Sequence, residues 1–446
     1  MDKYFHSVRL DKDKCRGCTN CIKRCPTQAI RVRNGKATII KERCIDCGEC
    51  IRVCPHHAKY ASRDSLEQLE NYKYRIALPA PALYGQFHNL DDVNIILNAL
   101  PSLGFDAVFE VSKAAELVSE ATRKYLETRN PVKPAISSAC PAVARLIRVC
   151  FPELIENIIL VNAPVEEAGR LARNKAVAKT GLKPEEIGVF FISPCPAKIT
   201  SFKQPIGTEK SNIDGAIAIN DIYPHLLKAM EKISEHDEMK ALHESGVIGI
   251  GWATSGGEAS GTLNDNALAA DGIENCIKIL EAVERGNLDN VDFIELNACQ
   301  GGCVGGSLTA ENPFIAKSRL MKLRKYNPVS CNHLLSVDIP EEMLWTSPIE
   351  PCDDVMRLAD NLQEAMERMA RMEELLKTFP GLDCGTCGAP GCKALAEDVV
   401  RGFATEHDCV FRARQELQEL QDTDNLDDTE KLERIIPAPF RDKKDS

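Results

Sequence analysis

Eight cysteines between residues 15 and 54 fall into two copies of one spacing, and no other feature of the chain restricts its fold as tightly. Cys15, Cys18, Cys21 and Cys25-Pro26 recur 29 residues on as Cys44, Cys47, Cys50 and Cys54-Pro55. Both copies read C-x2-C-x2-C-x3-C-P. Three thiolates at such intervals can wrap one corner of an iron–sulfur cube, while the fourth, held by a proline turn, ligates the other cube. The spacing predicts one [4Fe–4S] cluster on Cys15, Cys18, Cys21 and Cys54 and a second on Cys44, Cys47, Cys50 and Cys25. Zinc would need two four-cysteine sites, and two in-register copies closed by proline argue against it. Between the copies, residues 31–40 read as a hairpin turning at Asn34-Gly35.

Twelve cysteines lie outside that run. Cys384, Cys387, Cys392 and Cys409 form C-x2-C-x4-C-x16-C, with the first three in a glycine-rich segment. Glycine lets the backbone fold closely around a compact inorganic group and turn N–H groups toward sulfur. A third [4Fe–4S] cluster is the favoured occupant and a structural zinc the alternative. The remaining eight are scattered from Cys140 to Cys352. This grouping maps the chain: a two-cluster domain over 1–70, a central domain over 71–352, a connecting helix over 353–378, a small cluster domain over 379–415 and an acidic tail over 416–446. In the connecting helix Leu358, Leu362, Ala365, Met369, Met372 and Leu376 make a seam. It suits a homodimer contact or, more commonly, packing on its own domain. Residues 416–430 carry acids without Lys or Arg and read as solvated.

Length and charge narrow the function classes. The 446 residues predict two to four domains, and 44% hydrophobic content can fill them. Lys and Arg total 55 against 66 Asp and Glu, a net charge of −11. That balance disfavours a nucleic-acid partner, because phosphate needs a basic face. No apolar run approaches the ~20 residues a membrane-spanning helix needs, and residues 1–14 lack the apolar core of a secretory leader. The expectation is a cytoplasmic protein, where thiols stay reduced and many cysteines signify metal.

The central region alternates short apolar runs with helical stretches. Residues 75–78, 107–109, 135–136, 158–161, 187–192, 216–219 and 293–296 read as buried strands, and 114–129 and 164–180 as helices, the pattern of an α/β fold with largely parallel sheets. In such folds functional loops follow the carboxyl ends of strands. The cysteines fall there, in Ser137-Ser138-Ala139-Cys140-Pro141, in Ser193-Pro194-Cys195-Pro196-Ala197-Lys198 and in Asn297-Ala298-Cys299-Gln300-Gly301-Gly302-Cys303. Three loops delivering four cysteines can converge on one metal centre. Residues 249–257, with Trp252 and Ser255, read as a further glycine-rich strand-end loop. They lack the P-loop and dinucleotide patterns, so a nucleotide site is unsupported. Cys150, Cys276, Cys331 and Cys352 have no partner spacing and read as small buried hydrophobes. His56, His57 and His333 read as core or surface residues.

Three signatures in this order, S-x-C-P at 138–141, P-C-x-x-K at 194–198 and A-C-x-G-G-C-x-G-G at 298–306, resemble the [FeFe]-hydrogenase family. Ala80-Pro81-Ala82 resembles that family's Ala-Pro loop, and the cysteine repeat resembles its ferredoxin module. The resemblance implies an α/β H-cluster catalytic domain, an N-terminal α+β bacterial-ferredoxin-like domain and a small C-terminal helical iron–sulfur domain. It implies that Cys140, Cys195, Cys299 and Cys303 hold a cube. Cys303 would also bridge to a di-iron subsite with CO, cyanide and azadithiolate; together these make the H-cluster, beside three accessory [4Fe–4S] clusters. Lys198 resembles the lysine that donates a hydrogen bond to cyanide. Ala80, Pro81, Ala82, Ser138, Pro194, Trp252 and Ser255 are assigned to the cofactor pocket. The implied substrates are H2 and protons. The implied partners are a ferredoxin-like redox protein or a signalling protein, and the maturation proteins of the family.

The signatures also depart from the family's usual form. Ala139 stands where a cysteine usually passes protons, and Ser193 and Asn297 stand where methionine is usual. Glu120 aligns with one relay glutamate, but Arg123 follows three residues on. Alanine carries no proton, so the usual route is broken at its inner end. Ser138, Ser193, Asn297, Glu258 and Glu295 are the residues able to build a substitute with water. Similar replacements mark the divergent groups regarded as sensory. The sequence therefore favours a slow [FeFe] hydrogenase with a sensing or regulatory role. A non-catalytic hydrogenase-like protein of iron–sulfur assembly and a plain electron-transfer protein are the alternatives.

Overall fold

The computed structural model describes residues 5–236, 239–352 and 357–421. The described residues form two compact units, one of residues 5–44, 49–61, 352 and 357–421, the other of residues 45–48, 62–236 and 239–351.

In the first unit β1 (Val8–Leu10) pairs antiparallel with β4 (Lys59–Ala61), and β2 (Ile30–Arg33) with β3 (Lys36–Ile39). Asn34 and Gly35 both take positive φ, 50° and 68°, as a two-residue hairpin turn of this kind requires. Val8, Ile22, Val32 and Ala37 pack in one core with Cys15, Cys21 and Cys50. The C-terminal part contributes the helices Leu362–Thr378, Cys392–Val400 and Val410–Gln421. The seam helix is shorter than its apolar spacing suggested, because the Asn361 side chain accepts the Glu364 N–H (2.8 Å) and caps it. Leu358 therefore precedes the helix, and residues 353–356 lie outside those described. Met372 is buried on Cys387, Leu395 and Cys409, and Leu358 and Leu376 pack against the same core, whereas Leu362 and Met369 are exposed, so only part of the seam packs on its own unit. Of the acidic segment, residues 416–421 continue a helix, and 422–446 lie outside the described residues.

The second unit holds two parallel sheets. One is ordered β6 (Ala107–Val108), β5 (Tyr74–Pro79), β8 (Ile187–Ser193), β9 (Gly215–Ala218); the other β10 (Ala267–Asp271), β11 (Phe293–Asn297), β7 (Ala135–Ile136). Every residue of β8 is buried, as expected of a parallel strand covered on both faces. Residues 158–161 make only single bridges, Ile136 to Ile158 and Val161 to Leu344, instead of the expected strand. β10 is a strand that its Ala-Leu-Ala-Ala-Asp run, of weak strand propensity, does not announce. Residues 249–257 do not follow a strand; they join the short helices Val247–Gly251 and Gly257–Gly261. Cys276 is fully buried, but Cys331 is exposed, its amide held by Glu116 on a surface loop (3.0 Å). Among the described residues no helix is long and apolar enough to cross a membrane.

Candidate metal centre

Each of the first two cysteine loops ends in Cys-Pro for a structural reason. Cys140 is the N-cap of the helix Pro141–Cys150 and Cys195 that of Pro196–Lys203, with proline at the first turn of both. Proline loses nothing there, since that N–H has no helical partner and its fixed φ suits the turn. Two helix N-termini, each with partial positive charge, thus stand beside two sulfurs. Glycine brings in the third loop. Gly302 (φ 90°) passes so close to Thr254 and Ser255 that a Cβ would lie 2.6 Å from the Ser255 nitrogen, and a Cβ on Gly306 would overlap the Pro194 carbonyl. Ser255 N–H donates to Gly301 (3.0 Å) and Leu308 N–H to Pro194 (3.0 Å), tying the loops together.

The result is one cavity on which Cys140, Cys195, Cys299 and Cys303 all open. Ala80, Pro81, Ala82, Pro194 and Trp252 line it too, as does Lys198, whose Nζ donates to the Ala139 carbonyl (3.2 Å). Burial pushes the Cys303 thiol up to about 12 and raises Cys195 as well, with the Lys198 charge opposing both. Desolvated thiols at this density stay neutral unless a cation takes the proton's place. Four such sulfurs, a lysine and two helix N-termini around one cavity fit an iron–sulfur group held by thiolates.

Two buried acids complete the wall. Glu258 is driven well above the usual carboxylate range by burial and then by the neighbouring Glu295 charge, against the Ser137 hydrogen bond and Lys198. Ser137 Oγ donates to Glu258 (2.6 Å) and accepts the Ala139 N–H (3.1 Å), so a carboxyl stands two hydrogen bonds from the relay position. Glu295 is raised by burial too; it accepts the Gly256 and Ala259 amides (3.1 and 2.8 Å) and the Asn297 side chain (2.6 Å). Ser137 was not among the relay candidates; a serine beside a ligand loop carries no distinguishing pattern. Two of the relay candidates, Ser138 and Ser193, and one expected pocket residue, Ser255, point elsewhere. Ser138 donates to the Val161 carbonyl (2.6 Å) and lines a neighbouring cavity. Ser193 spends its hydroxyl on its own loop, donating to the Cys195 carbonyl (2.9 Å). Ser255 braces the third loop through its backbone and does not line the cavity. Glu120 is also away from it, accepting the Leu334 N–H (2.9 Å) beside Lys124.

In the first unit, Cys15, Cys18, Cys21 and Cys54 surround one small cavity, bringing the fourth cysteine of the second copy to the first three of the first. Backbone amides point at sulfur: Ala37 to Cys15 (3.4 Å), Ala29 to Cys25 (3.2 Å) and Ala58 to Cys54 (3.3 Å). Cys25, Cys44 and Cys50 belong to this unit, whereas Cys47 falls in the 45–48 segment of the other. Cys387, pushed up to about 11 by burial, and Cys409 share a core against which Cys392 packs, and Cys384 bears on the Cys387 thiol.

Residues 73–266 and 225–307 match the family described as iron only hydrogenase large subunit, C-terminal domain. Residues 7–55 match a 4Fe-4S dicluster domain, and residues 379–411 an Fe-S cluster family. Iron hydrogenase 1 of Clostridium pasteurianum is 26% identical over 69% of this chain and 65% of its own length. A probable cytosolic Fe-S cluster assembly factor of Caenorhabditis elegans is 23% identical over 51% of this chain and 61% of its own. A subunit of an NADP-reducing hydrogenase of Solidesulfovibrio fructosivorans is 24% identical over 47% and 44%. The chain thus matches less than two-thirds of the length of each of these relatives. A solved [FeFe]-hydrogenase of Chlamydomonas reinhardtii superposes with TM-score 0.49 at 15% identity, over 64% of this chain and 97% of that one.

Proposed function

We propose that this chain, which belongs to the iron-only hydrogenase large-subunit family, is a slow [FeFe] hydrogenase whose reaction serves sensing or regulation. The observation that carries the reading is the single cavity shared by Cys140, Cys195, Cys299, Cys303, Lys198 and Ala139. The four cysteines would hold a [4Fe–4S] cube, with Cys303 bridging to a di-iron subsite bearing CO, cyanide and azadithiolate. When bound, that H-cluster supplies the redox chemistry that interconverts H2 with two protons and two electrons.

The side chains do the rest. Lys198, steadied by the Ala139 carbonyl, would have N–H groups left to donate a hydrogen bond to a cyanide of that group. The helix N-termini at Cys140 and Cys195 offset thiolate charge, and Ala80, Ala82 and Phe191 keep the wall dry. Ala139 moves no proton. Glu258 holds one, and its path inward runs through Ser137 and water, with Glu295 and Asn297 behind it. Hydroxyls are poor carriers near neutral pH, and a lost relay group costs about 10²-fold or more. The three accessory [4Fe–4S] clusters would exchange electrons with a ferredoxin-like or signalling partner in the cytoplasm, after family maturation proteins install the di-iron subsite.

Ala139 also suits a second reading, a non-catalytic protein of cluster assembly, as the name of the C. elegans relative suggests. Lys198 on the cavity favours the first, because a cube alone has no use for it. Infrared spectra of the matured chain decide: CO and cyanide bands are expected, and their absence with cubes filled would leave the assembly reading.

A further inference from the structure

β2 separates two cysteine sets. Val32, fully buried, turns its side chain into the cavity of Cys15, Cys18, Cys21 and Cys54. Its backbone N–H leaves the hairpin and donates to the carbonyl of Gly388 (2.8 Å), the residue after Cys387. Its neighbours reach the same way. Arg33 Nη1 donates to the Cys387 carbonyl (2.7 Å) and Nη2 to Asp398 (2.9 Å), and Arg31 Nε donates to the same Asp398 oxygen (2.6 Å). Arg43 adds hydrogen bonds to Glu397 through two nitrogens.

The central pair is dry: only 7% of the Arg31 and Asp398 side chains is exposed. Desolvating an ion costs several kcal/mol, so a pair this deep is a weak source of net stability and a better device for fixing register. What it fixes is specific. Asp398 and Glu397 lie on the helix Cys392–Val400, which begins at a cysteine of the C-terminal set. The node therefore holds that helix and the Cys387 loop against the back of the strand lining the first cluster site.

We infer that the C-terminal set, Cys384, Cys387, Cys392 and Cys409, holds the electron relay adjacent to the Cys15, Cys18, Cys21 and Cys54 cluster, with β2 as the strand between them and Asp398 as the positioning residue. This rests on the cluster occupancy proposed above and is independent of the di-iron subsite. One electron leaves a reduced [4Fe–4S]+ on one set and arrives at an oxidised [4Fe–4S]2+ on the other, and no bond forms or breaks. A low-potential one-electron iron–sulfur protein supplies or takes that electron at the C-terminal set. One covalent and hydrogen-bonded path runs from Cys387 through the Gly388 carbonyl to Val32, whose side chain shares a core with Cys15 and Cys21. Zinc on the same ligands would have no redox chemistry.

The test is EPR of the full chain, reconstituted with iron and sulfide and reduced with titanium(III) citrate. Cys387→Ser should lose about four iron atoms and remove one component of the spin–spin splitting from the signals that remain. Asp398→Asn should keep the iron yet weaken that component, and Asp398→Glu should restore it. Loss of four iron atoms with unchanged line shape would overturn the relay, as would loss of one zinc and no iron. Unchanged splitting in Asp398→Asn would overturn the positioning role. Infrared bands read on matured samples answer for the di-iron subsite separately.

Discussion

The Cys15 site and the Cys140 site use the same ligand atom and reach it by opposite routes. Around the first, three thiols arrive from seven residues of chain, and only one longer segment, Cys21 to Cys54, has to close to add the fourth. Around the second, three loops spread from residue 137 to residue 303 meet only because β7, β8 and β11 end at one place. In the local site, spacing is nearly the geometry itself. In the distributed site, the sheets hold the geometry and spacing carries almost none, so the residues between the ligands are free to differ. The departures within the three cysteine signatures, Ala139, Ser193 and Asn297, are on the loops of the distributed site.

The difference can be broken at Cys303. Cys303→Ala should abolish hydrogen turnover and the di-iron infrared bands while the accessory clusters keep their EPR signals. Cys276→Ala should keep both, because that buried thiol only donates to the Asn297 carbonyl (3.3 Å). Loss of the bands in Cys276→Ala would mean that the four central ligands are misassigned.

A smaller effect is expected at Glu258. Glu258→Gln should slow turnover on the order of 10²-fold with the infrared bands in place. Its pKa lies above the ordinary 4.5 in the folded chain, so above that pH the folded state binds a proton the unfolded state has released. Stability is therefore lost as pH rises from 4.5 through the raised folded value. Unfolding free energies of the wild type from urea titrations should fall against those of Glu258→Gln over that window, by at most about 1.4 kcal/mol per pH unit. Parallel curves would show that Glu258 is not the protonated group.

Ala139→Cys sharpens the same point in the other direction. It should raise turnover on the order of 10-fold or more if the missing thiol is the bottleneck; no change would mean that Ser137 and Glu258 already suffice. The smallest effect belongs to Ser193→Ala, whose hydroxyl is turned into its own loop. It should cost about 1 kcal/mol of stability and leave the rate and its pH profile as they are.

What could be read in advance follows the same divide. Asn34-Gly35 named its turn, and the Cys-Pro repeats brought Cys54 to the first copy, because the information lies within a few residues. The strands before Cys140, Cys195 and Cys299 were legible as apolar runs, and so was the convergence of the four cysteines. The direction of a hydroxyl was not. Ser137, Ser138 and Ser193 look alike in a loop, yet one meets Glu258, one the Val161 carbonyl and one its own backbone. Nor was the Asp398 node, since nothing local links a carboxylate to arginines over 360 residues away.

The central claim is that the distributed site holds a di-iron subsite as well as a cube. Infrared spectra of the matured chain, taken beside an iron count, test it most directly. The account predicts CO and cyanide bands with about 18 iron atoms per chain, against about 16 for cubes alone. A preparation with all four cubes filled, exposed to the maturation proteins and still without those bands, would contradict it.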